Sequence, residues 1–116
     1  MNVGRLILAC RNVDAGNIAV TEIIEATGCS GIVTYWPIDF ASFDSVREFA
    51  HRVDVEKLRI DILVGNAAIM TSKWGTTEDG WETMLQADYL SHVLLTVLLL
   101  PYMAHRPVQT RSPNLA

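Results

Sequence analysis

Apolar residues in this chain come in two kinds of run, and the two kinds alternate. Leu6-Ile7-Leu8-Ala9-Cys10 is unbroken and stops at Arg11-Asn12. A short continuous apolar run between polar residues reads as a strand covered on both faces. Ile18, Ile23 and Ile24, with Ala19 and Ala26, then recur at helical spacing. They predict a helix over roughly 15–27, capped by Asp14 and stopped at Gly28. Gly31 leads into Ile32-Val33-Thr34-Tyr35-Trp36, a β-branched and aromatic second strand that ends at Pro37. Val46, Phe49, Ala50 and Val53 behind Ser42 predict a second capped helix. Ile60 to Val64 reads as a third strand, buried on both faces. The small residues after it, Gly65, Ala67 and Ala68, would admit a backbone or a ligand closely. A loop rich in Thr, Ser and Gly covers 71–77. Asp79 and Glu82 have the spacing of a capping box and open a long helix to about Met103, broken near its end by Pro101. Trp81, Met84, Leu85, Asp88, His92, Leu95, Thr96, Leu99 and Tyr102 would share one broad face of it.

The order β-α-β-α-β-α with short connections predicts an α/β fold with a parallel, doubly wound sheet built from three β-α units. Residues 1–104 would form the domain. From Arg106 the character changes: Pro107, Pro113 and Arg111 follow with no acid and no period, so 105–116 reads as a disordered tail.

Composition narrows the partners. A chain of 116 residues makes one small domain, and 50% hydrophobic residues allow it a core. A formal charge of −4 argues against nucleic acid or an anionic membrane as the main partner. Cys10 and Cys29 lack metal-ligand spacing and read as reduced thiols in a cytoplasmic protein, with no metal site. Met1 to Arg11 is too short for a signal peptide. The longest apolar stretch, Val93 to Met103, is about half the ~20 residues of a membrane span.

Candidate chemistry lies at strand ends. Thr27-Gly28-Cys29-Ser30-Gly31-Ile32 carries two glycines, yet it follows a helix and precedes a strand, the wrong context for a phosphate cradle. In an open α/β sheet, ligands bind off the carboxyl ends of the strands. Arg11, with Asn12 beside it, ends the first strand, Asp39-Phe40 the second and Asn66-Ala67-Ala68 the third, so one rim collects an arginine, a carboxylate and an amide. An arginine there suits a phosphate through charge-assisted hydrogen bonds. Asp88 and His92 stand one helical turn apart, which fits a local pair; a carboxylate on an apolar face also fits an active-site role.

These residues resemble a known family. Leu63-Val64-Gly65-Asn66-Ala67-Ala68 is similar to the L-V-N-N-A-G motif of classical short-chain dehydrogenases/reductases. Asp39-Phe40 before Ala41-Ser42-Phe43-Asp44-Ser45-Val46-Arg47 resembles that family's D-L segment. Ile7-Leu8-Ala9-Cys10-Arg11-Asn12 resembles the second strand of its retinol-dehydrogenase-like, NADP-preferring members. Gln86-Ala87-Asp88-Tyr89-Leu90-Ser91-His92 resembles the Q-V-N-x-L-G/S-H run of helix αE. The resemblance covers residues 3 to 104. It implies part of a Rossmann-like sheet, from strand 2 to helix αE, lacking the first strand and the C-terminal half. It also implies an oxidoreductase that transfers hydride between NADP(H), or NAD(H), and a small alcohol or carbonyl. By resemblance Arg11 would hold the adenosine 2′-phosphate, Asp39 and Phe40 would meet the adenine, and Asn66, Ala67 and Ala68 would line the ribose and phosphate side. Asp88 falls where the family has a catalytic Asn.

Position 65 is Gly and position 68 is Ala, departures from N-N-A-G, and a carboxylate at 88 cannot donate as an amide does unless protonated. The family's T-G-x-x-x-G-I-G loop would lie before Met1, and its catalytic Ser and Y-x-x-x-K beyond Ala116, so the chain as given would be inactive. Tyr102-Met103-Ala104-His105-Arg106 has Arg where the Lys belongs. Two further readings stay open: a non-catalytic remnant that pairs with itself or a full-length relative through helix 79–103, and a gene with wrongly set ends. In the family another strand lies between the first and third strands of this chain. A gap or an unusual direct pairing is therefore expected there.

Overall fold

The structure, a computed structural model, describes residues 4–104; the predicted tail lies outside them. Strand β1 (Leu6–Cys10) pairs in parallel with β2 (Val33–Pro37), from Leu6 opposite Val33 to Cys10 opposite Pro37. Helix α1 (Val13–Thr27) makes the crossover. Its cap is Asn12, whose side chain accepts the Ala15 N–H at 3.0 Å, so the expected cap at Asp14 is corrected: Asp14 sits in the first turn. Gly28 ends the helix at φ +71°, as its position predicts. Helix α2 (Phe43–Val55) is capped by Ser42 as expected.

The core lies between β2, α2 and the last helix. Trp36, Ile38, Val46, Ala50, Val53, Leu95 and Leu99 are buried together. The predicted apolar face of α2 is the one that packs. On α1 the prediction holds less well, since Ile18 is 58% exposed and only Gly16 is buried. A sheet of two strands is too narrow to cover the whole face.

Gly16 marks the tightest contact of that layer. A Cβ added there would stand 2.2 Å from Cδ2 of Tyr35, whose hydroxyl donates to the Cys10 carbonyl at 2.7 Å. Burial, and then the neighbouring Cys10, hold the Tyr35 hydroxyl above its ordinary pKa. Gly16→Ala gains about 1 kcal/mol of helix propensity but drives the ring off its carbonyl. A net loss of about 1–2 kcal/mol is expected in a urea titration. A Tyr35 absorbance titration should then move back toward the ordinary phenol range.

The third predicted strand does not form. The sheet has two strands, and 62–70 runs as irregular chain with Ile62 65% and Val64 77% exposed. The physical reason is local. A parallel strand exists through its neighbours' hydrogen bonds, and among the described residues no strand lies beside this run. What holds its start is the last helix: the Ile60 N–H donates to the Tyr102 carbonyl at 3.1 Å. Of the two outcomes expected between β1 and this run, the structure shows the gap. Met70 and Trp74 farther on are 96% and 80% exposed, so this side carries open apolar surface beside unpaired backbone.

The last helix has three parts: α3 (Thr83–Leu85), a π-helical turn over Gln86–Leu90, and α4 (Ser91–Ala104). Its cap is Glu82, whose carboxylate accepts the Met84 and Leu85 N–H groups at 3.2 and 2.7 Å, so the expected cap at Asp79 is corrected. Asp79 accepts instead from the Phe43 N–H and from Gln86 Nε2, at 2.8 and 2.7 Å, and thereby ties the start of α2 to the π turn. The helix also runs through Pro101 rather than breaking there. Over Thr83–Met103 it has 21 residues and a mean hydropathy of 1.4, enough by length and composition to cross a bilayer, though no single apolar stretch is that long. Leu95 and Leu99 nonetheless face the protein core, at 6% and 0% exposure.

Candidate functional site

The parallel register sets the rim. Cys10 and Pro37 are paired, so Arg11 and Ile38-Asp39 leave the sheet on the same edge. Arg11 is exposed, and no ion pair involves it among the described residues. Asn12 is occupied as the α1 cap. Asp39 accepts the Ala41 N–H at 2.9 Å through Oδ1, and its own N–H donates to Ser45 Oγ at 2.8 Å. That small turn fixes where the β2 chain ends.

Phe40 joins the rim to the last helix. Its ring stacks on the His92 imidazole with centroids 4.3 Å apart and planes 19° apart, and its carbonyl accepts from the buried Ser91 hydroxyl. His92 reaches further: Nε2 lies 2.7 Å from the Ala67 carbonyl oxygen. Asp88 Oδ1 accepts the Ile69 N–H at 2.7 Å. The expected Asp88–His92 pair is therefore corrected. Each side chain holds a different point of the segment that follows Val64, because that segment's unpaired backbone offers both a donor and an acceptor within reach.

The π turn explains this placement. The Ser91 N–H bonds to the Gln86 carbonyl, five residues back, so one extra residue enters the turn. The buried face becomes Gln86, Ala87, Ser91, Leu95 and Leu99, while Leu85 and Trp81 are 44% and 49% exposed. The predicted single face through Met84, Leu85 and Asp88 is corrected accordingly. π turns recur at functional sites, and this one carries Asp88.

Asn66, Ala67 and Ala68 are exposed, and the structure brings them against Phe40 through His92. Sequence reasoning missed His92 as the bridge, and missed Ser91, Gln86 and Asp79 as its supports.

The profile of the short chain dehydrogenase family matches residues 2–110. The chain belongs to this family. Retinol dehydrogenase 13 of Mus musculus is 45% identical over 97 residues, 84% of this chain and 29% of that protein. The WW domain-containing oxidoreductase of Gallus gallus is 43% identical over 94 residues, 81% of this chain and 22% of that protein. Among solved structures, an uncharacterized protein from Mycobacterium paratuberculosis superposes with TM-score 0.70 at 33% identity, covering 84% of this chain and 32% of that one. L-sorbose reductase from Gluconobacter frateurii, complexed with NADPH and L-sorbose, gives 0.61 at 25% identity, covering 85% and 38%. The short-chain dehydrogenase chain thus spans less than two-fifths of each relative. The predicted α/β, Rossmann-like class stands, although one of its three expected strands is unpaired here.

A short-chain oxidoreductase works with a nicotinamide cofactor, and the residues present fit one end of it. The exposed Arg11 leaves the same sheet edge as Ile38-Asp39, with Phe40 next along the chain. For a pyrophosphate the match fails. The turn after β1 is Arg11-Asn12, whose side chain is spent on capping, and it holds no glycine.

Proposed function

We propose that this chain supplies the adenosine-phosphate side of an NADP(H) site in a short-chain oxidoreductase acting on a small alcohol or carbonyl. The observation that carries it is Arg11, an exposed cation at the carboxyl end of a parallel strand with no ion pair among the described residues. A guanidinium there meets a 2′-phosphate with charge-assisted hydrogen bonds that the ribose hydroxyl of NAD(H) cannot match. Asp39 and Phe40 face the adenine, and Asn66, Ala67 and Ala68 lie along the ribose. Bound nicotinamide would supply or accept the hydride. Asp88 acts on the protein's own backbone, orienting Ile69, rather than on substrate. Of the described residues we assign none to moving the substrate's proton, and we expect binding rather than turnover from them. An intracellular, cytoplasmic setting suits its free thiols. Phe43, Trp81, Leu90, Val93, Leu94 and Val97, with Arg47, line a largely apolar groove that supports pairing through the last helix.

The test is titration of the whole chain with NADPH, followed by nicotinamide fluorescence, beside NADH and 2′,5′-ADP. Micromolar NADPH binding, competed by 2′,5′-ADP and at least about tenfold tighter than NADH, is expected. Arg11→Ala should erase that preference without changing the melting curve. Equal affinity for NADPH and NADH, or none for either, would overturn the proposal.

A further inference from the structure

We infer that His92 is a positioning residue: it latches the 65–69 segment to the end of β2 and sets the width of the adenosine cleft, with Gly65 leaving room for its ring. The inference rests on the cofactor reading for the word cleft, but its geometry stands alone. His92 touches both walls. Its ring lies flat on Phe40, 4.3 Å between centroids, and its Nε2 is 2.7 Å from the Ala67 oxygen. A carbonyl oxygen can only accept, so Nε2 carries a hydrogen. Nδ1 faces Gly65: a Cβ built on that glycine would stand 3.1 Å from it, tighter than ordinary contact.

Gly65, a departure from the family motif, thus leaves the imidazole the room it uses. A methyl at 65 would push the ring by a few tenths of an ångström against its two contacts, the Phe40 stack and the Ala67 oxygen. Asp88 adds the second anchor by accepting the Ile69 N–H, and Ser91 fixes the Phe40 carbonyl from the same helix. The end of β2 and the irregular 65–69 segment, which share no backbone ladder, are joined through side chains of the last helix. Without His92, Asp88 and Ser91 would still hold Ile69 and Phe40 on the same helix, so what His92 adds is the hold at Ala67 itself.

Two variants separate donor from ring. His92→Gln keeps an N–H donor of similar reach and loses the aromatic stack; His92→Phe keeps the stack and loses the donor. Gly65→Ala crowds Nδ1 and leaves both groups in place. In the uniformly 15N-labelled full chain, the His92 ring should show an Nε2–H tautomer. Amide exchange over 66–70 should be at least about fivefold faster in His92→Phe and in Gly65→Ala. It should be restored to within about twofold in His92→Gln. NADPH affinity should follow the same order, with far-UV circular dichroism unchanged. An Nδ1–H tautomer would overturn the inference, as would parental exchange over 66–70 in His92→Phe. If the parent chain binds no NADPH while the exchange pattern holds, the cofactor reading fails and the latch stands. If NADPH binds the parent and His92→Phe equally, with exchange unchanged, the latch fails and the cofactor reading stands.

Discussion

Trp36→Ala is expected to lose about 3–5 kcal/mol and to abolish the chain's cooperative unfolding transition. A small domain has only about 5–15 kcal/mol in hand. Trp36 is 1% exposed and is the largest fully buried side chain. Phe49 meets it edge-on with centroids 5.4 Å apart, and the Arg52 guanidinium lies 3.9 Å from its centroid. Arg52 also holds Glu56, which pairs with Arg5 in turn, so the cation over the ring is itself anchored. The readout is direct. Trp74 and Trp81 are 80% and 49% exposed, so Trp36 supplies the blue-shifted emission, and the variant should lose both that emission and the urea midpoint. Trp36→Phe, which keeps an aromatic ring for Arg52, should retain a transition at lower urea.

Gln86→Ala comes next, at about 2–4 kcal/mol. Gln86 is completely buried, accepts from the Thr77 hydroxyl and donates to Asp79 Oδ2 at 2.7 Å. Removing it opens a cavity and strips partners from two polar groups at once. The acid limb of stability should change with it. The Phe43 N–H and then the Gln86 amide hold the Asp79 carboxyl below its ordinary pKa. A depressed carboxyl stabilises the fold above its unfolded pKa, and that contribution is lost as pH falls through the folded value. Without Gln86 the depression shrinks, and the urea midpoint should fall less between neutral pH and pH about 3. A residual slope should persist, because hydrogen bonding to Arg52, and then to Arg5, depresses Glu56 independently.

Sequence and structure agree where an element makes its own case. The α2 face, the Ser42 cap and the Gly28 stop depend on neighbours within a turn or two, so they were legible. The Ile60–Val64 run was not, because apolar residues permit a strand but only an adjacent ladder makes one. At the rim, Arg11 and Asp39 do leave one sheet edge as the rule for strand ends expects, Asn66 instead follows a run that forms no strand, and His92 and Asp88 looked like a pair. One-turn spacing makes a pair available, and the unpaired donor and acceptor of the 67–69 backbone outbid it. Asn12, expected on the ligand, caps α1 because the chain turns into the helix two residues sooner than Asp14 suggested.

The π turn over Gln86–Leu90 has a consequence for how chain length can vary. One residue of helix amounts to about 100° of rotation. The π turn takes up the extra residue without that rotation, so the stretches before and after it keep the settings of one regular helix, Glu82 and Met84 toward the loop, Leu95 and Leu99 toward the core. Deleting one residue of 86–90 would close the turn to a regular helix with both flanks where they are, but the residues inside the turn would change their settings, and Asp88 would lose its hold on Ile69. In comparisons between relatives, a single-residue gap opposite 86–90 would leave the core face intact and mark a rearranged site.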